Sequence, residues 1–254
     1  MRRLLIHLVV LLAAPALADG GPALLRTEVL ATYPHDPQAF TQGLLLHDGA
    51  LYESTGLLRR SSLRQVELES GKVLRKAELP PTLFGEGLAW VHDELVQLTW
   101  RNGIALRWDP ASFTKRGEST YDGEGWGLCF NGTQLVQSDG SHRLVFRDPA
   151  TFAPLRTLGV TENGQPVQHL NELECVGDTI YANVWLTDRI VAIAPTSGVV
   201  RADIDASGLL TADERRGAGE DAILNGIAHD AANNTFLVTG KLWPKLFRVR
   251  FVPR

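Results

Sequence analysis

Short runs in which apolar and polar residues alternate recur along the sequence, as in Leu63-Arg64-Gln65-Val66 and Phe247-Arg248-Val249-Arg250. A period of two predicts strands with one buried face. Turn pairs separate the runs: Asp48-Gly49, His92-Asp93, Asn131-Gly132, Gly177-Asp178 and Asn233-Asn234. Asp-Gly and Asn-Gly supply the positive φ angles that a tight hairpin requires. A second set, Ser70-Gly71, Asp109-Pro110, Asp148-Pro149 and Ser197-Gly198, predicts a further hairpin in four of the same regions. The stretch from Ala206 to Asp221 differs, its Glu, Arg, Ala and Leu content predicting a short surface helix. A plain connection and a cover over a pocket are both open for it.

The strand pattern repeats as a whole. Five segments open alike: Gln42-Gly43-Leu44, Glu86-Gly87-Leu88, Trp126-Gly127-Leu128, Asn171-Glu172-Leu173 and Asn225-Gly226-Ile227, their middle residues spaced by 44, 40, 45 and 54. That spacing is one four-stranded blade, so the expected fold is all-β, a five-bladed β-propeller over residues 19–254. The fifth repeat ends one strand short at Arg254, and Leu25 to Leu30 resembles the outer strand of the first, Val73 to Leu79. The N-terminal strand is therefore expected to complete the last blade and close the ring.

Arg2-Arg3, the apolar run Leu4 to Leu12 and Ala16-Leu17-Ala18 form a signal-peptide pattern. Residues 1–18 are expected to be cleaved, leaving a secreted or periplasmic protein with no membrane segment. With 44% hydrophobic and 21% charged residues the remainder can bury a large core, and a net charge of −4 with scattered Lys and Arg gives no nucleic-acid surface. A monomer is expected. Cys129 and Cys175 fall in related strands of neighbouring repeats. They are read as two buried free thiols, a bridge being the alternative that an exported protein permits.

In a propeller the first strand of each blade lines the central channel. The residues before the Gly-Leu step, Gln42, Glu86, Trp126, Asn171 and Asn225, therefore take equivalent inner positions. Thr55, Trp100, Asp139, Trp185 and Lys241 lie just past the second strand, and antiparallel pairing brings them to the same mouth. The ordinary structural roles are core packing for the indoles, amide capping for Glu86, a solvated strand end for Lys241, and cross-blade hydrogen bonds for Gln42 and Asn171. The histidines lack zinc spacing and there is no G-x-S-x-G elbow. No cofactor is expected.

The sequence resembles the plant and bacterial glutaminyl-peptide cyclotransferases, also called glutamine cyclotransferases. The matching stretches are Phe40 to Leu44, Tyr52 to Gly56, Phe84 to Leu88, Leu98 to Trp100, Glu124 to Leu128, Leu170 to Glu174, Asn183 to Trp185 and Thr239 to Pro244. The resemblance implies a five-bladed propeller that converts N-terminal glutamine of peptides to pyroglutamate with release of ammonia. It implies Glu86 as the essential acid, with Phe40, Gln42, Phe84, Trp100, Trp126, Asn171, Trp185 and Lys241 in the pocket. Glu86 is then expected to shuttle a proton and Lys241 to stabilise the intermediate. A non-catalytic peptide- or sugar-binding propeller and a metal-dependent, lactonase-like hydrolase are the competing readings.

Overall fold

The alternating runs become strands in the computed structural model, which describes residues 21–254. The expected signal peptide, 1–18, lies outside the described residues. The turn pairs behave as their chemistry dictates: Asp48 and Gly49 both take positive φ, 48° and 76°.

The first strand, β1 (Ala23–Pro34), stands apart from the meander that follows it. A first four-stranded antiparallel unit holds β2 (Thr41–His47), β3 (Ala50–Thr55), β4 (Ser62–Val66) and β5 (Val73–Glu78). The second holds β6 (Gly85–Val91), β7 (Glu94–Thr99), β8 (Ile104–Trp108) and β9 (Lys115–Thr120). The third holds β10 (Leu128–Phe130), β11 (Leu135–Ser138), β12 (Arg143–Arg147) and β13 (Pro154–Gly159). A small hairpin, β14 (Thr161–Glu162) and β15 (Gln165–Pro166), leads to the fourth unit: β16 (Leu170–Val176), β17 (Thr179–Val184), β18 (Arg189–Ile193) and β19 (Val200–Asp205). After helix α1 (Ala212–Ala218), β20 (Leu224–Asp230), β21 (Thr235–Gly240) and β22 (Lys245–Pro253) form a fifth unit, whose fourth strand is β1, antiparallel to β22. The start of β1 also pairs in parallel with β19, Ala23 to Arg26 against Ala202 to Asp205, so the fourth and fifth units share one eight-stranded sheet. Helix α1 falls within the predicted stretch and is fixed by a capping box between Thr211 and Glu214.

The core is distributed over five seams. Separate clusters of buried side chains join the first unit to the second, the second to the third, the third to the fourth, the fourth to the fifth, and the fifth back to the first. The first strands of the units touch in the same closed order. They approach so closely that a Cβ on Gly43, Gly87 or Gly127 would collide with the backbone of Leu88, Leu128 and Asn171 respectively. Glycine is therefore a steric requirement of the inner strands. In the fourth unit the corresponding residue is Glu172. Its carboxylate crosses the centre to accept from Leu44 N at 3.2 Å and Ile227 N at 2.8 Å, tying three units together.

The cysteines are not free thiols: Cys129 on β10 and Cys175 on β16 form a disulfide, with Cα atoms 5.5 Å apart. The inner strands of the third and fourth units pack side by side and bring both sulfurs into one seam.

Glu172→Ala should leave two buried amides without acceptors, each costing about 1–3 kcal/mol. We expect a loss of about 2–5 kcal/mol in denaturant unfolding; an unchanged midpoint would show that the central carboxylate is not a structural tie.

Candidate active site

A local irregularity places the inner residues. In the first, second, fourth and fifth units the register between the first two strands slips by one residue at Gln42, at Glu86-Gly87, at Asn171-Glu172 and at Asn225-Gly226. Such bulges re-aim side chains at the end of a strand. Gln42, Glu86 and Asn171 are placed in this way, and with Phe40, Phe84, Trp100, Trp126, Trp185, Lys241, Asp221 and Ile223 they line one cavity of about 290 Å³.

Glu86 lies at its buried base, 4% exposed. Its Oε1 accepts from Gln42 Nε2 at 3.0 Å. The Gln42 amide is held in turn by Asn225, whose Nδ2 donates to Gln42 Oε1 at 3.3 Å and to the Thr41 carbonyl at 3.0 Å. Burial pushes the Glu86 carboxyl well above the usual range; Lys241 opposes that shift and Glu124 adds to it. Lys241 is 5% exposed, its Nζ 5.0 Å over the Phe40 ring. Burial lowers its proton affinity, against the pull of Glu86 and Asp221. The site thus holds an acid and a base that are both driven towards their neutral forms.

Aromatic rings form the walls. Phe40 meets Phe84 edge-on at 6.1 Å, Phe84 meets Trp100 at 5.6 Å, and Trp126 meets Trp185 edge-on at 5.4 Å. Two of the indoles are pinned by Glu124, whose Oε2 accepts from Trp100 Nε1 at 2.8 Å and Trp126 Nε1 at 3.0 Å. Its Oε1 accepts from Arg101 Nε at 2.8 Å, and that guanidinium lies 3.8 Å over the Trp100 ring. Burial would raise the Glu124 carboxyl, but the bonds from Trp126, Arg101 and Trp100 prevail and hold it below the usual range.

Three residues expected near this mouth do not line the cavity. Thr55 is buried in β3 against Ser62 Oγ at 2.7 Å, and Asp139 accepts from Ser141 N at 2.9 Å within its own turn. Asn225 does not line the cavity and reaches Glu86 only through Gln42. Conversely, Glu124, Asp221 and Ile223 belong to the site and were missed. Glu124 and Asp221 stand outside the repeated positions, and Ile223 carries no chemical signature. Among the described residues no cluster of three or more His, Cys, Asp or Glu side chains is arranged to hold a metal ion.

An all-β frame that buries a carboxyl with a raised proton affinity and a lysine under walls of aromatic rings has the character of an enzyme pocket. A family model described as glutamine cyclotransferase matches residues 3–251. A glutaminyl-peptide cyclotransferase of Arabidopsis thaliana is 40% identical over 225 residues, covering 88% of this chain and 70% of that protein. The crystal structure of Myxococcus xanthus glutaminyl cyclase superposes with a TM-score of 0.84 at 40% identity, over 92% of this chain and 99% of that one. The protein belongs to the glutamine cyclotransferase family.

If Glu124 orients the two indoles, Glu124→Ala should weaken the tryptophan bands in near-ultraviolet circular dichroism. The cost in global stability should stay at about 1–2 kcal/mol, because both bonds are only partly buried. Unaltered tryptophan bands would remove Glu124 from this role.

Proposed function

We propose that this protein is a glutaminyl-peptide cyclotransferase acting on peptides with N-terminal glutamine, with Glu86 as its proton shuttle. The observation that carries the assignment of roles is the burial of Glu86 and Lys241 together beneath the aromatic walls. The α-amine of the substrate attacks the Cδ carbonyl of its own glutamine. A new bond forms between that nitrogen and Cδ, the amine gives up a proton, and the bond from Cδ to the amide nitrogen Nε2 breaks to release ammonia. Glu86 as carboxylate accepts the proton and as acid returns it to the departing nitrogen, so one group serves both transfers. Its raised proton affinity suits both halves of the cycle.

The other cavity residues divide the remaining work. Trp100, Trp126 and Trp185 enclose the folded glutamine, while Phe40 and Phe84 carry the apolar wall towards Lys241. Lys241 stands to stabilise the oxyanion of the tetrahedral intermediate. Asn171, whose buried Oδ1 has no partner among the described residues, offers an acceptor to the amine. Gln42 holds the Glu86 carboxylate in place. This route requires no metal or cofactor, and a lactonase-like hydrolase would need a cluster of metal ligands, of which there is none among the described residues.

We read the five units as the blades of one five-bladed β-propeller domain over residues 19–254, the closed circuit of seams being the support for that reading. The signal-peptide pattern and the disulfide both suit an exported, periplasmic or secreted monomer.

Incubation with a Gln-initiated peptide should remove one ammonia from its mass, and an unchanged peptide would favour a binding protein. Glu86→Gln should keep the fold and lower kcat by at least about 10²-fold. A folded Glu86→Gln protein with full kcat would end the proton-shuttle role.

The pH profile carries a sign. The carboxylate form of Glu86 starts the reaction and its proton affinity is raised. We therefore expect kcat/KM to rise with pH through a value well above that of an ordinary glutamate, and Glu86→Gln to lose that limb. An acid limb at an ordinary carboxylate value would contradict the assignment.

A further inference from the structure

A second depression adjoins the cavity. It measures about 670 Å³, and Ile223, Leu224, Ala222, Leu186 and Ala212 supply its apolar lining. Ile223 belongs to both spaces. Leu186 directly follows Trp185, a wall of the cavity. Leu186 is 61% exposed and its backbone is held at a φ of 65°, a left-handed conformation unusual for leucine. Asp188, Arg215, Arg216 and Glu220 also line the groove, and two of these charges are paired with each other, Arg215 with Asp188 at 3.0 Å.

We propose that this groove is the subsite for the second residue of the peptide substrate and that it takes an apolar side chain there. The inference rests on the reading of the cavity as the seat of an N-terminal glutamine. Once that glutamine occupies the base, the rest of the peptide has to leave through the mouth. At the mouth, Ile223 and the Trp185–Leu186 step lead directly into the groove. An exposed leucine facing an apolar floor gains from contact with another apolar group and gains nothing from a glycine. The connection between β19 and β20 that carries α1 therefore forms one wall of a specificity site: Ala212 lines the groove, and Asp221 and Ile223 line the cavity.

The test compares kcat/KM for two peptides that differ only in their second residue, one beginning Gln-Leu and one beginning Gln-Gly. The unsubstituted protein should favour Gln-Leu by about tenfold, the discrimination one apolar group gives in a pocket. Leu186→Asn removes the apolar surface with a residue that tolerates the left-handed backbone, and the ratio should fall towards one. Ala212→Glu places a charge in the groove at the first turn of α1, where an acid suits the helix, and should lower the ratio independently. Equal use of the two peptides by the unsubstituted protein overturns the proposal. So does a preference that persists in Ala212→Glu, whether or not Leu186→Asn folds. Failure to cyclise either peptide would instead strike at the reading of the cavity itself, and the groove would fall with it.

Discussion

Everything in this structure depends on the approach of the inner strands to one another around the centre. Gly43, Gly87 and Gly127 leave no room for a Cβ because the next unit's backbone occupies that space. At the fourth position the repeat is broken and the gap is bridged by a side chain: Glu172 reaches the amides of Leu44 and Ile227. Close packing of three junctions and hydrogen bonding across the remaining ones fix the distances between units. The cavity residues are carried on those same strand ends, so the tolerance of the site is set by the tolerance of the ring.

Buried glutamates show how partners decide chemistry in this frame. Glu53 is as buried as Glu86, yet it faces His35 at 3.0 Å, Arg64 at 3.7 Å and the Thr41 hydroxyl at 2.7 Å. Burial alone would raise it, but those partners hold it below the usual range. Glu172 has two backbone amides, and burial still pushes it upward. Glu86 has one neutral amide donor and a lysine that is itself partly desolvated. A carboxyl that must release and recover a proton is thus left with few strong partners.

The repeat was legible because each unit reuses a similar strand start and turn pair, and three of the five keep the Gly-Leu step, local signals that answer to backbone geometry. Much of the site was legible for a related reason: one repeated offset at the start of each inner strand supplies Gln42, Glu86, Trp126 and Asn171 to the cavity, three of them at a bulge. Glu124 escaped notice because its role depends on two indoles from different segments converging on one oxygen. The disulfide illustrates a different limit. Cys129 is one residue past Leu128, whereas Cys175 is two past Leu173, so in the repeat they sit on opposite strand faces. Aligned by sequence, that mismatch argues against a bridge, yet facing residues across a seam must point in opposite directions round the ring. The parallel contact of β1 with β19 also lay beyond periodicity, since it joins two repeats and resembles neither.

The place of β1 links assembly to competence. It lies between β19 and β22 and so joins the fourth unit to the fifth. The fifth unit and the connection before it carry Lys241, Ile223 and Asp221. The first four units supply Glu86 and all three cavity tryptophans, while Lys241, Ile223 and Asp221 come from the remainder. Pairing of β1 with β22 therefore completes the unit whose other strands lead to Lys241. The acid of the second unit and the lysine of the fifth thus meet across a ring whose last unit is built from strands far apart in the sequence.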